Sequence, residues 1–188
     1  MRRSQNIPRK FPLRRAFTFL EEGPVVLLST FYQGKNNLMT ASCTMSMDFS
    51  PLAGVMLGPW DCSYRALIQT RECVLAIPGA DLLEKTVAIG NCSGDEVDKF
   101  AKFRLTPYPA SQAQAPLVGE ALKNLECRLV RKINVGGGEL FVLQGIAAWH
   151  NPARRAPRAL HAKGDGTVLI DGRHLNLRRK MTRWQDCI

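Results

Sequence analysis

The chain has 188 residues, of which 45% are hydrophobic, and it contains three Trp, three Tyr and eight Phe. This length and composition exclude a mainly disordered chain and predict a single domain over residues 1–188. The net charge of +10 is concentrated at the two ends, because residues 1–15 and residues 151–188 each contribute +6. We therefore expect a basic N-terminal arm over about 1–15 and a basic C-terminal extension over about 151–188.

Basic ends can bind phosphate backbones, remain as solvated tails, or border the site of a phosphorylated small molecule. The sequence carries no helix-turn-helix, zinc-finger or aromatic-basic signature, so nucleic-acid binding is disfavoured. Apolar runs such as PVVLL are far shorter than the roughly 20 residues of a membrane-spanning helix, and we expect no membrane span.

The six cysteines form no CxxC pair and no Cys/His cluster with zinc spacing. We expect free thiols, no metal site and a cytoplasmic location.

Seven segments have the length and composition of strands, which predicts a mainly β fold, either a barrel or a sandwich. They are residues 24–32, 37–46, 52–58, 73–78, 126–135, 139–150 and 167–172. Helices are expected over 63–72, 82–91 and 96–103, with Ser63 as the capping residue of the first. The start of that helix would favour an anion such as a phosphate.

Two segments between these elements have predicted roles. The glycines at 136–138 indicate a hairpin turn, and no GxGxxG pattern follows a strand, so a Rossmann nucleotide site is not expected. Residues 106–118 contain three prolines and predict a loop that covers a site or contacts a partner.

The segment GKNNLMTASCT at 34–44 is the strongest functional signal. An extended strand here would bury Leu38, Met39 and Ala41 and would turn a row of amide and hydroxyl groups outward. Those groups belong to Asn37, Thr40, Ser42 and Thr44. Together with the backbone edge, they would suit a flat polar ring.

Eight motifs in order resemble the flavin reductase-like FMN-binding split-barrel proteins, especially the flavoredoxin branch, over about 11–181. They are GPVVLLST, GKNNLMTASC, DFSP, CSYRALIQTRECVLAIP, IGNCSGDEVDKF, LTP, LECRLV and LHAKGDGTVLIDGRHLNLRRKM. The resemblance implies a mainly β, six-stranded antiparallel split β-barrel with accessory helices. It also implies a homodimer with FMN in a groove near the dimer interface, reduced by NADH, NADPH or a partner protein.

The resemblance further implies which residues hold FMN. Along the flavin ring it places Asn37, Met39, Thr40, Ala41, Ser42, Cys43 and Thr44. For the phosphate it implies Ser63 and Tyr64 with the DKF motif, which adds Lys99 and Phe100. Over the ribityl chain and ring edge it places Asn91, Cys92 and Ser93. His161 matches a histidine on the nicotinamide side and is the one candidate catalytic residue.

Several alternatives remain open from the residues themselves. Taken without the resemblance, Lys99 is an ordinary solvated lysine and His161 a structural histidine, while Cys43 and Cys92 are either redox thiols or small buried hydrophobes. Many flavoredoxin-like members carry Trp at the position of Cys43. For the function, an NAD(P)H-dependent flavin reductase is favoured. A flavoredoxin-like electron carrier and a non-catalytic binding module that uses the basic termini are the alternatives.

Overall fold

Strands dominate the computed structural model, which describes residues 7–154 and 158–181. The strands are β1 (Arg9–Phe11), β2 (Val26–Tyr32), β3 (Lys35–Ala41), β4 (Thr44–Ser46), β5 (Leu52–Leu57), β6 (Glu72–Ile77), β7 (Pro107–Tyr108), β8 (Leu117–Val118), β9 (Lys123–Val135), β10 (Gly138–His150), β11 (Leu160–Ala162) and β12 (Val168–Ile170). The α-helices are α1 (Cys62–Thr70), α2 (Leu83–Gly90) and α3 (Lys99–Lys102). Short 3₁₀ helices cover Leu13–Phe19, Ala80–Leu82 and Arg178–Lys180. The first six residues of the basic N-terminal arm and Cys187 lie outside the described residues.

One antiparallel sheet contains eight of these strands in the order β3-β2-β6-β9-β10-β5-β4, with β1 paired to β10. The six strands from β3 to β5 each have at least six residues, whereas β1 and β4 have three. All seven segments predicted as strands contain one. The expected mainly β fold with a six-stranded antiparallel barrel is therefore confirmed, with two short strands added at its margins.

The sheet curls so that its two edges meet. β3 ends at Ala41 and β4 begins at Thr44, yet these strands lie at opposite ends of the sheet order. Because just two residues, Ser42 and Cys43, join them, the edges must approach each other closely. The Met56 N–H donates to the Cys43 carbonyl at 3.0 Å and fastens this seam to β5.

Hydrophobic side chains on both faces of the sheet form two packed layers. Along β2, Val26 and Leu28 point into the barrel interior, and Leu27 points to the outer face. This alternation is the two-residue period of a strand buried on both sides. Ile89 of α2 and Phe100 of α3 cover Leu27, so these helices stand against the outside of the barrel.

Two local expectations were wrong. The predicted strand over 37–46 is interrupted, because the Thr44 N–H donates to the Ser42 carbonyl at 3.0 Å and turns the chain there. Ser63 does not cap α1, which starts one residue earlier with Asp61 as its N-cap residue. The Asp61 carboxylate accepts a hydrogen bond from the Gly58 N–H at 2.8 Å, which fixes the turn before the helix.

The β9–β10 hairpin turns at the predicted glycines, with Gly136 at a φ of 58°. Both strands have 13 residues, and the register between them shifts at Val142/Leu143 and at Gly145/Ala147. Such bulges bend a long ladder. The hairpin can therefore pair with β6 and β5 on its two sides while following the curvature of the barrel.

The segment 106–118, predicted to be a loop, begins and ends in the short strands β7 and β8, which pair with each other. The loop between them is tied to the sheet by Glu126, a fully buried carboxylate on β9. One oxygen accepts hydrogen bonds from the N–H and hydroxyl of Ser111 and from the indole N–H of Trp149, at 2.9, 3.1 and 2.7 Å. The other accepts the N–H groups of Gln112 and Ala113 at 2.6 and 2.9 Å. Burial raises the pKa of Glu126, but these donors outweigh it and hold the pKa below its usual value.

The five described cysteines are free thiols, as the sequence predicts: Cys43, Cys62, Cys73, Cys92 and Cys127. Cys73 and Cys127 are buried and stand opposite each other on β6 and β9, and burial raises the pKa of Cys127. Within residues 7–154 and 158–181, no helix combines the length and apolar character required to cross a bilayer.

Candidate functional site

Two adjoining cavities form a groove along β3, where the outer helices meet the barrel seam. The first has a volume of about 230 Å³ and lies between β3, the start of α1, the end of α2 and the turn that follows α2. The second has a volume of about 430 Å³ and lies between the end of β3, the end of β5 and the β9–β10 turn. Both are lined by Met39, Thr40, Trp60 and Asp61, so they are continuous. Their sizes suit a small molecule or cofactor.

Asn37 gives the first cavity an unpaired polar atom. Its side-chain N–H donates to the Ser63 hydroxyl at 3.0 Å, whereas its buried carbonyl oxygen has no partner within the described part of the chain. Gly94 lies directly against this amide, and a Cβ at that position would stand 2.0 Å from the Asn37 oxygen. Of the four buried side-chain atoms that lack a partner in the described part of the chain, the Asn37 oxygen is the one whose residue lines this groove, where a ligand that donates a hydrogen bond would satisfy it.

Lys99 supplies a buried cation at the same cavity. Its side chain is 4% exposed, and its ammonium donates to the Ile89 carbonyl at 3.0 Å. No described carboxylate forms an ion pair with it. Burial lowers its pKa, and the nearby Cys92 and Cys62 oppose that effect. An ammonium with two further donors and no counter-ion is suited to an anion such as a phosphate.

The same cavity is lined by two cysteines and two serines from the turn after α2 and the start of α1. Cys92 and Ser93, which the resemblance assigns to FMN, both line it, together with Cys62 and Ser63. Burial and the adjacent Asp95 raise the pKa of Cys62, so its sulfur is held as a thiol. The Cys92 thiol points to the Ala88 and Ile89 carbonyls at 3.5 and 3.7 Å.

The second cavity is lined mainly by backbone and apolar side chains. The end of β3 contributes residues 39–43, which include the predicted ring-binding residues Ala41, Ser42 and Cys43. Cys43 is exposed at this wall. Met56 and the glycines of the β9–β10 turn form the opposite side. Extended backbone beside a soft apolar surface can hold the edge and the face of a flat ring.

Tyr64 does not reach the groove, although it follows Ser63 in the sequence. Its ring packs edge-on against Phe141, and its hydroxyl donates to Glu139 and accepts from the Lys132 ammonium at 3.2 Å. Successive residues of a helix point about 100° apart, so Ser63 can face the cavity while Tyr64 faces the β9–β10 hairpin. The expectation that Tyr64 borders the phosphate is therefore not supported by this geometry.

Three other residues predicted to hold FMN also fail to line either cavity. Thr44 donates its hydroxyl to the Pro24 carbonyl at 2.9 Å and secures the seam instead. Phe100 is buried in the outer hydrophobic layer, next to Lys99 in α3. Asn91 is exposed at the C-terminal end of α2.

His161 lies on β11, outside both cavities. Its Nε2 is 2.6 Å from Asp171, and its Nδ1 is 3.4 Å from the Gly23 carbonyl. Burial raises the pKa of Asp171, but the hydrogen bonds from the Ala159 N–H and from His161 outweigh burial and hold the pKa below its usual value. Glu22 is close enough to complete a set of three possible metal ligands, but His161 already uses Asp171 as its partner. His161 therefore links the β11–β12 hairpin to the segment just before β2.

The sequence reasoning missed Trp60, Asp61, Cys62, Ile89, Gly90 and Gly94, which line the first cavity. Of these residues, Trp60 could most easily have been predicted from the sequence. A tryptophan in a polar turn between a strand and a helix has no hydrophobic face of an element through which to reach the core. Its side chain is 73% exposed.

Comparison with known proteins identifies a family model that matches most of the chain. A model of the family described as "Flavin reductase like domain" matches residues 21–168. An uncharacterized protein of Archaeoglobus fulgidus is 32% identical over 120 residues, which are 63% of this chain and 68% of that protein.

Two solved structures share the fold. The FMN-binding domain of a flavin reductases-like enzyme from Shewanella baltica has a TM-score of 0.81 at 23% identity, covering 93% of this chain and 99% of that one. Flavoredoxin of Desulfovibrio vulgaris has a TM-score of 0.73 at 21% identity, covering 93% and 92%.

Proposed function

The chain belongs to the flavin reductase-like family, and on that basis we propose that it binds FMN and acts as an NAD(P)H-dependent oxidoreductase. The observation that carries this proposal is the groove itself. It places a buried cation and an unpaired amide oxygen at one end and a backbone-lined wall at the other. A phosphate monoester needs the cation, a hydroxylated chain needs the amide oxygen, and a flat ring needs the backbone-lined wall.

Three residues of the first cavity would hold the polar part of FMN. Lys99 neutralises phosphate charge, and Ser63 adds a hydroxyl close to the start of α1, where backbone N–H groups are unpaired. Asn37 offers its unpaired oxygen to a hydroxyl of the ribityl chain. The orphaned acceptor and the close approach at Gly94 both support this fit.

FMN, when bound, supplies a ring that accepts a hydride from a nicotinamide and passes electrons onward. The end of β3 would orient that ring through its backbone groups, with Met39 and Ala41 excluding water from one face. Cys43 is exposed at this wall, and the electron donor would approach the ring from the solvent side of the groove. His161 remains a prediction for the nicotinamide side, and it would require a rearrangement or a second copy to bring it to the groove.

Titration of FMN against single-residue variants tests the site. Lys99→Met should weaken FMN binding by about tenfold or more, because a charge-assisted hydrogen bond contributes about 1.5–3 kcal/mol. Asn37→Ala should weaken it several-fold. Lys102→Met and Asn36→Ala are matched controls, since both residues are exposed neighbours on the same elements. Wild-type affinity in both site variants would remove this assignment.

The electron donor is tested separately with the FMN-loaded protein under anaerobic conditions. Bleaching of the flavin absorbance by NADH or NADPH would support the reductase and identify its donor. Absorbance that persists with both nucleotides would favour the second candidate, an electron carrier reduced by a protein partner, which the likeness to flavoredoxin supports. A protein that takes up no flavin would favour a binding module that uses its basic ends.

We also propose that the protein works as a homodimer in the cytoplasm. Exposed apolar side chains support a second copy as a partner: Met45, Met47, Leu169, Leu175 and Leu177. The five free thiols support a reducing compartment. Sedimentation analysis would test the dimer, and a monomer at all concentrations would contradict it.

A further inference from the structure

Trp60 is a large aromatic residue in an unusual position. Its side chain is 73% exposed, yet it lines both cavities at the point where they join. No other Phe, Tyr, Trp or His among residues 7–154 and 158–181 lines either cavity. Any flat π system that enters this groove therefore meets one aromatic ring, and it meets it at the junction.

Gly58 keeps the indole in this position. A Cβ on Gly58 would lie 2.2 Å from Cε2 and Cζ2 of Trp60, so the indole packs directly on the glycine Cα. Gly58 is not among the described glycines with positive φ, and its backbone would accept alanine without strain. Position 58 requires a glycine because a Cβ there would overlap the indole of Trp60. The ring is thus seated by a close contact on one side, while most of its surface faces solvent.

We propose that Trp60 is the ring-stacking residue of the groove and that its open face packs against the isoalloxazine of bound FMN. This inference rests on the proposed function. Met39 lines the same junction from β3, so the flavin would lie between a thioether and an indole. Stacking on an indole adds affinity beyond the area that it buries, and removal of the ring should weaken FMN binding by about tenfold.

Three variants separate stacking from other roles. Trp60→Ala removes the ring, Trp60→Phe keeps a smaller one, and Gly58→Ala displaces the indole without removing it. Because the side chain of Trp60 is mostly exposed, none of these should lower the thermal midpoint by more than a few degrees. Circular dichroism and thermal unfolding of each variant would verify that the fold is retained.

FMN titration followed by tryptophan emission provides the test. The expected result is an FMN dissociation constant raised about tenfold in Trp60→Ala, less in Gly58→Ala, and within about threefold in Trp60→Phe. FMN should also quench the emission of Trp60, which is measured as the difference between the wild-type emission and that of Trp60→Phe. Wild-type affinity in Trp60→Ala, with that emission unchanged by FMN, would overturn the inference while leaving FMN binding intact.

Two further outcomes count against stacking. If Trp60→Ala shifts the sedimentation behaviour but not the FMN affinity, the indole contacts a second copy and the inference is wrong. If the wild type takes up no FMN, the proposed function fails, and stacking on the flavin fails with it.

Discussion

Replacing Glu126 with glutamine should cost the protein much of its stability, although the two side chains have nearly the same shape. The carboxylate accepts five hydrogen bonds, four of them from the loop between β7 and β8. A glutamine keeps one acceptor oxygen and turns the other into an NH₂ group. In either orientation of the amide, at least two donors then face another donor.

The size of the loss follows from this count. A hydrogen bond to a charged group contributes about 1.5–3 kcal/mol, so two lost bonds give about 3–6 kcal/mol. The total free energy of unfolding of a native domain is about 5–15 kcal/mol. Glu126→Gln should therefore remove a large fraction of the free energy of unfolding and loosen residues 109–116.

Urea unfolding at neutral pH measures this effect as a lowered midpoint with little change in slope. Glu72→Gln is the matched control, because Glu72 holds the same loop through one bond from the Gln114 N–H at 3.2 Å and is partly exposed. It should cost about 1 kcal/mol or less. A Glu126→Gln protein within 1 kcal/mol of the wild type would refute the reasoning.

The pH dependence gives an independent measurement of the same carboxylate. The pKa of Glu126 is lower in the folded protein than in the unfolded chain, so its contribution is complete above the unfolded pKa. It is lost as the pH falls through the lowered folded value. The stability difference between the wild type and Glu126→Gln should therefore shrink in acid. A constant difference from pH 7 to pH 3 would contradict the assignment.

Three further predictions concern the groove and the C-terminal hairpin. Gly94→Ala should weaken FMN binding several-fold, as Asn37→Ala does, because its Cβ would displace the Asn37 amide; equal affinity by titration would contradict this. FMN affinity should fall in alkaline solution at a lower pH than loss of an exposed lysine's charge would produce, since burial lowers the pKa of Lys99; Lys99→Met should abolish this fall. Asp171→Asn should expose the β11–β12 hairpin to limited proteolysis at neutral pH, as acid would in the wild type, because the carboxylate partner of His161 is lost; an unchanged digestion pattern would count against the anchor.

The barrel strands could be predicted from sequence because each carries its own hydrophobic pattern. β1 and β11 could not, since each has three residues and no such pattern. β1 forms because Phe11 packs on Phe19 and its backbone pairs with β10. This is a tertiary contact, and a local pattern does not contain it.

Within the site, the residues of β3 were predictable and those of the turns were not. A strand places alternate residues on one face, and Asn37 and Met39 accordingly line the same cavity. The expected strand pattern had turned Asn37 outward and buried Met39, and the family resemblance was what placed both along the ring. Tyr64 and Phe100 were included because they adjoin Ser63 and Lys99 in short motifs, but neighbours on a helix point in different directions. Trp60 and Gly94 lie in turns, where spacing carries no information on direction.

Ligand binding and closure of the barrel are coupled through the seam between β3 and β4. Ser42 and Cys43 join the two edges of the sheet and at the same time form a wall of the second cavity. A chain whose seam has opened lacks that wall and cannot bind a ligand there. A ligand at a free concentration of 100 times its dissociation constant would therefore stabilise the closed barrel by about 2.7 kcal/mol. The bound molecule would hold the two edges of the sheet together without a covalent bond.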